Sequence, residues 1–262
     1  MIALLCTMET SRIPWLPQLV QHYRGIGVER FLLTLQLEPE AVAAAKDRDY
    51  APFRETLAAL GIHEGWRWEH VFEDGPLMAF QYALRDEHTK PGDWIVWCDS
   101  DEFQVYPAPL GEMIRQSDAA GVDYVRGVFI DRVAEDYGLA VFDAGTSVWK
   151  TYPRTCNVTQ ALARGDVRKV VLTRAGLQVS GGKHLLHNAE NHKTFTGWVQ
   201  VHHFKWDALV IERLRHRVEI KHHWWAECQR LLDYFIANEM RFRPSDVPTV
   251  TLNGPHFVAY QG

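Results

Sequence analysis

The sequence contains no apolar run of the roughly 18 residues that a membrane-spanning helix needs. Residues 1–7 carry neither the basic n-region nor the cleavage site of a secretory signal peptide. We therefore expect no integral membrane segment and a cytoplasmic protein.

Paired cysteines and blocks of basic charge are also missing. The four cysteines, at positions 6, 98, 156 and 228, form no Cys-x-x-Cys pair, which argues against a zinc knuckle or a redox centre and favours reduced cysteines in the core. The 28 Lys and Arg residues against 33 Asp and Glu residues give a net charge of -5, and no basic block marks a nucleic-acid surface. We expect no nucleic-acid partner.

The chain does have apolar content and a regular alternation of periodicities. With 47% hydrophobic residues in 262, it can bury a sizeable core, and we predict one domain over 1–262. In the first half, strand patterns alternate with helix patterns, which favours parallel βαβ units in a doubly wound, mostly parallel α/β sheet flanked by helices. The predicted strands there are 2–7, 31–35, 68–72 and 94–98, and the predicted helices are 14–23, 40–60 with a break near Pro52, and 76–88.

The second half begins after Pro107 and Pro109, where short strands punctuated by glycine replace the regular alternation. It should complete the sheet and build the acceptor side of a pocket. The predicted strands there are 124–130, 147–149, 169–173 and 198–204, and the predicted helices are 110–117, 208–218 and 224–238.

Three carboxylates follow the strand 94–98 within four positions. Asp99 and Asp101 lie two residues apart, so in extended backbone both point to one face, whereas Glu102 points away. Ligands bind at the carboxyl edge of open α/β sheets, and Mg²⁺ or Mn²⁺ prefers oxygen ligands combined with substrate phosphates. The pattern predicts a metal and diphosphate site, and a solvated acidic turn is the alternative.

A second group of polar residues lies in the strand 198–204 and just beyond it. Strand alternation puts His202 and His203 on opposite faces. One imidazole could complete the coordination of a metal, and Lys205 could meet the charge of a diphosphate. The alternative is a pair of ordinary strand histidines bonded to the backbone.

A third group follows the apolar strand that begins near Gly127. Asp131 and Asp136 are carboxylates suited to accept a proton from a hydroxyl nucleophile, and Arg132 could orient one of them. A surface loop with solvated carboxylates explains the same pattern. A weaker rival site is a zinc centre of a hydrolase, built from His184, His187, Glu190 and His192 without the helix-spaced His-Glu-x-x-His pattern.

Together these segments resemble bacterial members of the glycosyltransferase 2-like group related to glycosyltransferase family 92, whose catalytic domains have the GT-A fold. The resemblance covers most of residues 1–220. The segments that carry it are Trp15-Leu16, His22-Tyr23 followed by residues 27–31, the Asp-x-Asp-Glu-Phe segment ending at Phe103, residues 127–138, and the His-Phe-Lys-Trp segment ending at Trp206. Glu9 also matches an acidic residue that follows the family's first strand.

The resemblance implies a metal-dependent glycosyltransferase that moves a sugar from a nucleotide-diphosphate sugar to a hydroxyl-bearing acceptor, with inversion. Residues 1–106 would bind the nucleotide sugar, and residues 107–262 would form the acceptor side and the C-terminal helices. By position, Asp99, Asp101 and His203 would hold Mn²⁺ or Mg²⁺; Glu9, Asp99 and Lys205 would bind the donor; and Asp131 or Asp136 would be the base.

Two other functions use the same pattern. A nucleotidyl or phosphoryl transferase also needs a metal held by paired carboxylates, although the sequence has no Gly-x-x-x-x-Gly-Lys-Ser/Thr loop. A catalytically silent carbohydrate-binding protein could keep the fold without the reaction.

Overall fold

A computed structural model describes residues 1–37, 39 and 43–252. These residues form nine strands in one sheet. The strands are β1 (Ile2–Met8), β2 (Arg30–Leu37), β3 (Trp66–Glu69), β4 (Trp94–Trp97), β5 (Glu102–Val105), β6 (Tyr124–Val133), β7 (Arg154–Cys156), β8 (Arg168–Arg174) and β9 (Thr194–His203).

Seven α-helices accompany the sheet in the described part of the chain. They are α1 (Leu16–Gly25), α2 (Ala43–Ala59), α3 (Asp74–His88), α4 (Leu110–Ala120), α5 (Val148–Thr151), α6 (Val210–Glu219) and α7 (Trp225–Ala237). Helix α1 shows why they form: Leu16, Leu19, Val20 and Tyr23 recur at helical spacing and are buried.

The strand order across the sheet is β3-β2-β1-β4-β8-β6-β9-β5, and β7 pairs with β6. The ladders β3–β2, β2–β1, β1–β4 and β6–β9 are parallel, and the ladders of β4 and β6 with β8, of β9 with β5 and of β6 with β7 are antiparallel. Six strands therefore point one way, and β5, β7 and β8 point the other way. The carboxyl ends of β1, β2, β4, β6 and β9 meet at one edge.

Alternation along β1 sends its side chains to two different cores. Ile2, Leu4 and Cys6 belong to a core shared with α1, α2 and α4, whereas Ala3 and Leu5 belong to a core on the opposite face, shared with α3. Helices therefore cover both faces, which confirms the predicted α/β class with a mostly parallel sheet flanked by helices. A third core holds α6 and α7.

All four cysteines are free and buried, as the sequence predicts. Within residues 1–37, 39 and 43–252, no helix combines the length and the apolar content that crossing a membrane requires.

Four predicted elements need correction. The third strand is β3, which begins at Trp66, two residues before its predicted start, and ends at Glu69, so Val71 and Phe72 lie beyond it. Helix α2 runs through Pro52 without a break, held by the buried Tyr50 and Phe53, while the predicted start of this helix at residue 40 lies outside the described residues. Residues 147–149, predicted as a strand, begin α5, because the Ser147 hydroxyl accepts a hydrogen bond from Trp149 N at 3.3 Å and caps the helix.

The fourth correction affects the site itself. Strand β6 continues to Val133, three residues past its predicted end, so Asp131 lies inside a strand and not in a loop. The sequence also gave no indication of β5, which pairs antiparallel with β9 and sets Glu102 opposite His203.

Candidate active site

A cavity of about 660 Å³ opens where the carboxyl ends of β1, β2 and β4 meet. Strands β5 and β8 begin at the same edge because they run in the opposite direction. The volume is in the range of small-molecule sites, roughly 300–1,000 Å³. The polar lining comes from both halves of the chain and includes Glu9, Gln36, Asp99, Asp101, Lys169 and His203.

Asp99, directly beyond β4, contacts two lysines. Its Oδ2 lies 3.0 Å from Lys169 Nζ, and its Oδ1 accepts a short hydrogen bond from Lys183 Nζ. Partial desolvation by itself would raise the pKa of Asp99, but the two ammonium groups hold that pKa well below its usual value. Lys169 Nζ also lies 2.7 Å from Glu102 Oε1, and burial raises the pKa of Glu102 to about 7.

Asp101 has different neighbours although it is only two residues away. Its Oδ2 lies 3.4 Å from Arg12 Nη2, and its side chain is 17% exposed, toward the cavity that it lines. Phe204 N donates to the Asp101 carbonyl oxygen at 2.8 Å, which joins the end of β9 to this turn. Burial opposes ionisation, but His203 and then Arg12 lower the pKa of Asp101.

Two residues fix the ring of His203 at the end of β9. The Asp131 carboxylate lies 2.9 Å from Nδ1, and the ring of Phe129 stacks on the imidazole at 4.3 Å between centroids. In the neutral form of the ring, a carboxylate at Nδ1 keeps the proton on that nitrogen and leaves the lone pair on Nε2. His203 lines the cavity, so its ring is held in a fixed orientation beside Asp101.

Asp131 is fully buried and does not line the cavity. Besides His203, its oxygens accept hydrogen bonds from Thr159 N at 2.6 Å, Thr159 Oγ1 at 2.8 Å and Trp206 Nε1 at 2.9 Å. Burial would raise the pKa of Asp131, yet the bond from His203 and these other donors lower it. The carboxylate is therefore placed to orient His203 and not to meet an acceptor hydroxyl.

The other predicted donor residues, Glu9 and Lys205, both line the cavity. Glu9 Oε1 lies 3.7 Å from Arg213 Nη1 and 4.0 Å from Arg12 Nε. Lys205 Nζ lies 5.2 Å from the centre of the Trp206 ring, and burial followed by the charge of Arg217 lowers its pKa.

Asp136, the second predicted base, lies outside the cavity lining. Its side chain is 63% exposed and pairs with Arg241. The structure thus separates Asp136 from Asp101 and His203, because residues 134–137 turn away at the end of β6.

The rival zinc residues also fail to come together. His184 Nδ1 bonds to the carbonyl oxygen of Arg168 at 2.7 Å, whereas His192 Nδ1 lies 3.6 Å from Asp123. Within the described residues no group of three or more His, Cys, Asp or Glu side chains is arranged to hold a metal ion unaided.

A metal ion shared with a substrate needs fewer protein ligands. Mg²⁺ is usually bound by one or two carboxylates plus substrate phosphates, and a neutral imidazole can add a nitrogen ligand. Asp101 and His203 fit such a shared site. Asp99 does not, because both of its oxygens face ammonium groups.

Several site residues carried no recognisable sequence signal. Arg12 is 2% exposed and pairs with Asp207 at 2.7 Å, and Asp207 also pairs with Arg213 at 2.9 Å. These pairs connect Asp101 to the start of α6. Lys169 sits in an ordinary apolar strand, and for Lys183 the only local signal is the preceding Gly-Gly pair.

No family model matches this chain, and no curated protein matches it. Among solved structures, the chain is similar to S. aureus TarS 1–349, with 10% identity and a TM-score of 0.37 over 90% of this chain and 73% of that one. It is also similar to UDP-glucose pyrophosphorylase complexed with UDP-glucose, with 11% identity and a TM-score of 0.25 over 54% of this chain and 62% of that one. Neither likeness identifies a residue of the site.

Proposed function

We propose that this chain is a metal-dependent glycosyltransferase of GT-A type, which moves a sugar from a nucleotide-diphosphate sugar to a hydroxyl-bearing acceptor. One observation carries the proposal: Asp101 and an imidazole held by Asp131 line the same cavity at the carboxyl edge of the sheet. A carboxylate and a fixed lone-pair nitrogen at that edge suit a divalent cation shared with a diphosphate.

Asp101 and His203 would hold Mn²⁺ or Mg²⁺. When bound, the cation would offset the negative charge that develops on the leaving nucleoside diphosphate. Arg12, 3.4 Å from Asp101, orients this carboxylate, and Asp131 keeps the lone pair of His203 on Nε2. Lys205 lines the same cavity and adds positive charge for the diphosphate.

The donor nucleoside would occupy the side of the cavity formed by the ends of β1 and β2. Glu9, Gln36 and Leu37 line that side. The acceptor would enter from the side of α6 and α7, where Trp224 and Glu227 line the cavity. An aromatic face there suits stacking on a sugar or an aglycone.

An inverting reaction needs a base that reaches the acceptor hydroxyl. We propose Asp131 as a positioning residue instead, because its oxygens are engaged by His203, Thr159 and Trp206. The base then belongs among the carboxylates that line the acceptor side, such as Glu227 and Asp74. Four free, buried cysteines suit a reducing compartment, and we place the reaction in the cytoplasm.

A thermal-unfolding screen tests the proposal. UDP, GDP, CDP and dTDP are each added with Mn²⁺ and with EDTA. A ligand that binds only the native state stabilises it by about 2.7 kcal/mol at a hundredfold excess over its dissociation constant. We expect one nucleotide to raise the melting temperature with Mn²⁺, and we expect Asp101→Asn to lose that increase.

The exposed variant Asp136→Asn is the matched control and should respond like the wild type. No response to any of the four nucleotides would contradict the proposal. A response only to nucleoside triphosphates, with pyrophosphate released from them, would point to a nucleotidyl transferase.

A further inference from the structure

Lys183, which lines the cavity, lies in a closed loop formed by residues 180–185. Ser180 N donates to the Leu185 carbonyl oxygen at 2.8 Å, and Leu185 N donates to the Ser180 hydroxyl at 3.0 Å, so residues 180–185 are tied at their base. Lys183 N donates to the Ser180 carbonyl oxygen at 2.9 Å and closes a turn inside the loop. The loop is a defined structure and not an open connection.

The backbone of this loop is unusual at the lysine. Lys183 has a φ of +60° and follows Gly182 at +65°, so two successive residues are left-handed. A left-handed residue with a side chain is uncommon, and such residues gather at functional sites. The conformation sends the side chain inward, where it is only 2% exposed although it lines the cavity.

Packing leaves the loop little freedom to relax. A Cβ on Gly181 would lie 2.6 Å from Asp74 Cβ, at the start of α3. Only glycine permits this contact. The close approach fixes the loop against α3 and so fixes the position of Lys183.

The two lysines around Asp99 differ in their remaining hydrogen-bonding capacity. Lys169 Nζ has acceptors in Asp99 Oδ2 at 3.0 Å, the Gly182 carbonyl oxygen at 2.8 Å and Glu102 Oε1 at 2.7 Å, which match its three N–H groups. Within the described residues, Lys183 Nζ donates to one acceptor, Asp99 Oδ1. Its ammonium group therefore keeps donors for an anion in the cavity.

We propose that Lys183, presented by the Gly181-Gly182 turn and supported by Lys169, is a subsite for phosphate oxygens that works without a divalent cation. Its ligand is the diphosphate of the nucleotide donor, an identification that rests on the proposed function. Asp99 holds the ammonium group in place before the ligand arrives, which makes Asp99 a positioning residue and not a metal ligand.

Calorimetric titration with inorganic pyrophosphate in excess EDTA tests this subsite directly. The nucleoside diphosphate that responds in the thermal screen is titrated in parallel. Lys183→Met removes the charge at similar length and should weaken metal-free binding of both ligands at least about tenfold, the scale of one charge-assisted contact. Lys150→Met, at an exposed lysine outside the cavity, is the matched control and should leave both affinities unchanged.

A second variant covers the case in which Lys183→Met fails to fold. Lys183→Met combined with Asp99→Asn removes both members of the pair and keeps the charge balance, and it should show the same loss. Wild-type affinity in either folded variant would overturn the inference, and so would wild-type protein that binds neither ligand in EDTA. In both of these outcomes Mn²⁺-dependent nucleotide binding would still support the transferase. Absence of nucleotide binding with and without Mn²⁺ would instead count against the proposed function.

Discussion

Two charged clusters lie at the same edge of the sheet, and the neighbouring carboxylates of Asp99 and Asp101 have different partners in them. The lysine cluster consists of Asp99, Glu102, Lys169 and Lys183, and it surrounds its aspartate with ammonium groups. The histidine cluster consists of Asp101, Asp131 and His203. Two aspartates separated by a single serine therefore have different chemistry.

The difference shows what decides the role of a carboxylate. Asp99 is already neutralised by two lysines of the protein, whereas Asp101 faces the cavity beside the imidazole of His203. Added positive charge suits the surroundings of Asp101 better, since a cation beside Asp99 would be repelled by two ammonium groups. The spacing of the two aspartates alone would have made them equivalent.

The largest effect should come from removing the ligands of the histidine cluster. We expect Asp101→Asn and His203→Ala each to lower the release of nucleoside diphosphate from the donor by about 100-fold or more, because each removes one of the two proposed protein ligands. Steady-state turnover with the responding sugar nucleotide measures the loss, and circular dichroism checks the fold. Turnover of His203→Ala near the wild-type rate would remove the histidine cluster from the mechanism.

A smaller effect on the same cluster distinguishes positioning from base catalysis. Asp131→Asn should weaken the apparent Mn²⁺ affinity by about 10–100-fold, because outer partners of a metal-binding histidine have effects of that size. Turnover at saturating Mn²⁺ should recover most of the wild-type rate. The opposite pattern, with unchanged Mn²⁺ affinity and a persistent loss of kcat, would restore Asp131 as a base.

The lysine cluster can be perturbed through its packing. Gly181→Ala places a methyl group 2.6 Å from Asp74 Cβ and should lower the free energy of unfolding by about 1–3 kcal/mol. Gly111→Ala, in α4 with only Arg115 Nη1 as near as 4.0 Å, should raise it by about 0.5–1 kcal/mol. Denaturant unfolding of both variants measures the contrast, and an equal effect of the two would show that the loop is not tightly packed.

The smallest effect should come from outside both clusters. Asp136→Asn removes an exposed ion pair with Arg241, and we expect turnover to be unchanged and stability to change by less than about 0.5 kcal/mol. Turnover and thermal unfolding check both expectations. A large loss of kcat would reinstate Asp136 as a catalytic residue and would mean that the loop after β6 closes over the cavity.

The parallel half of the sheet could be predicted from local patterns. Strands β1, β2 and β4 are continuous apolar runs, as expected for strands covered on both faces, and their predicted positions agree with the structure to within a few residues. Asp99 and Asp101, which local patterns put at the carboxyl edge of the sheet, line the cavity, and so does His203, which the family resemblance selected. Local periodicity was sufficient to predict these three strands because their apolar side chains are buried on both faces of the sheet.

The partners of the charged residues could not be predicted in this way. Asp99 meets Lys169 and Lys183 across 70 and 84 positions of sequence, and Asp131 meets His203 across 72. Such contacts depend on strand order, which the short antiparallel strands β5 and β8 determine. Sequence spacing carries no information about them, so it could not separate a metal ligand from a positioning residue.

The most direct test of the central claim is a titration of Mn²⁺ followed by electron paramagnetic resonance, in the presence of the nucleoside diphosphate that binds. Wild type, Asp99→Asn and Asp101→Asn are compared. We predict that Asp101→Asn loses bound Mn²⁺ while Asp99→Asn retains it. Loss of Mn²⁺ binding in Asp99→Asn with retention in Asp101→Asn would contradict the assignment of the metal to the histidine cluster.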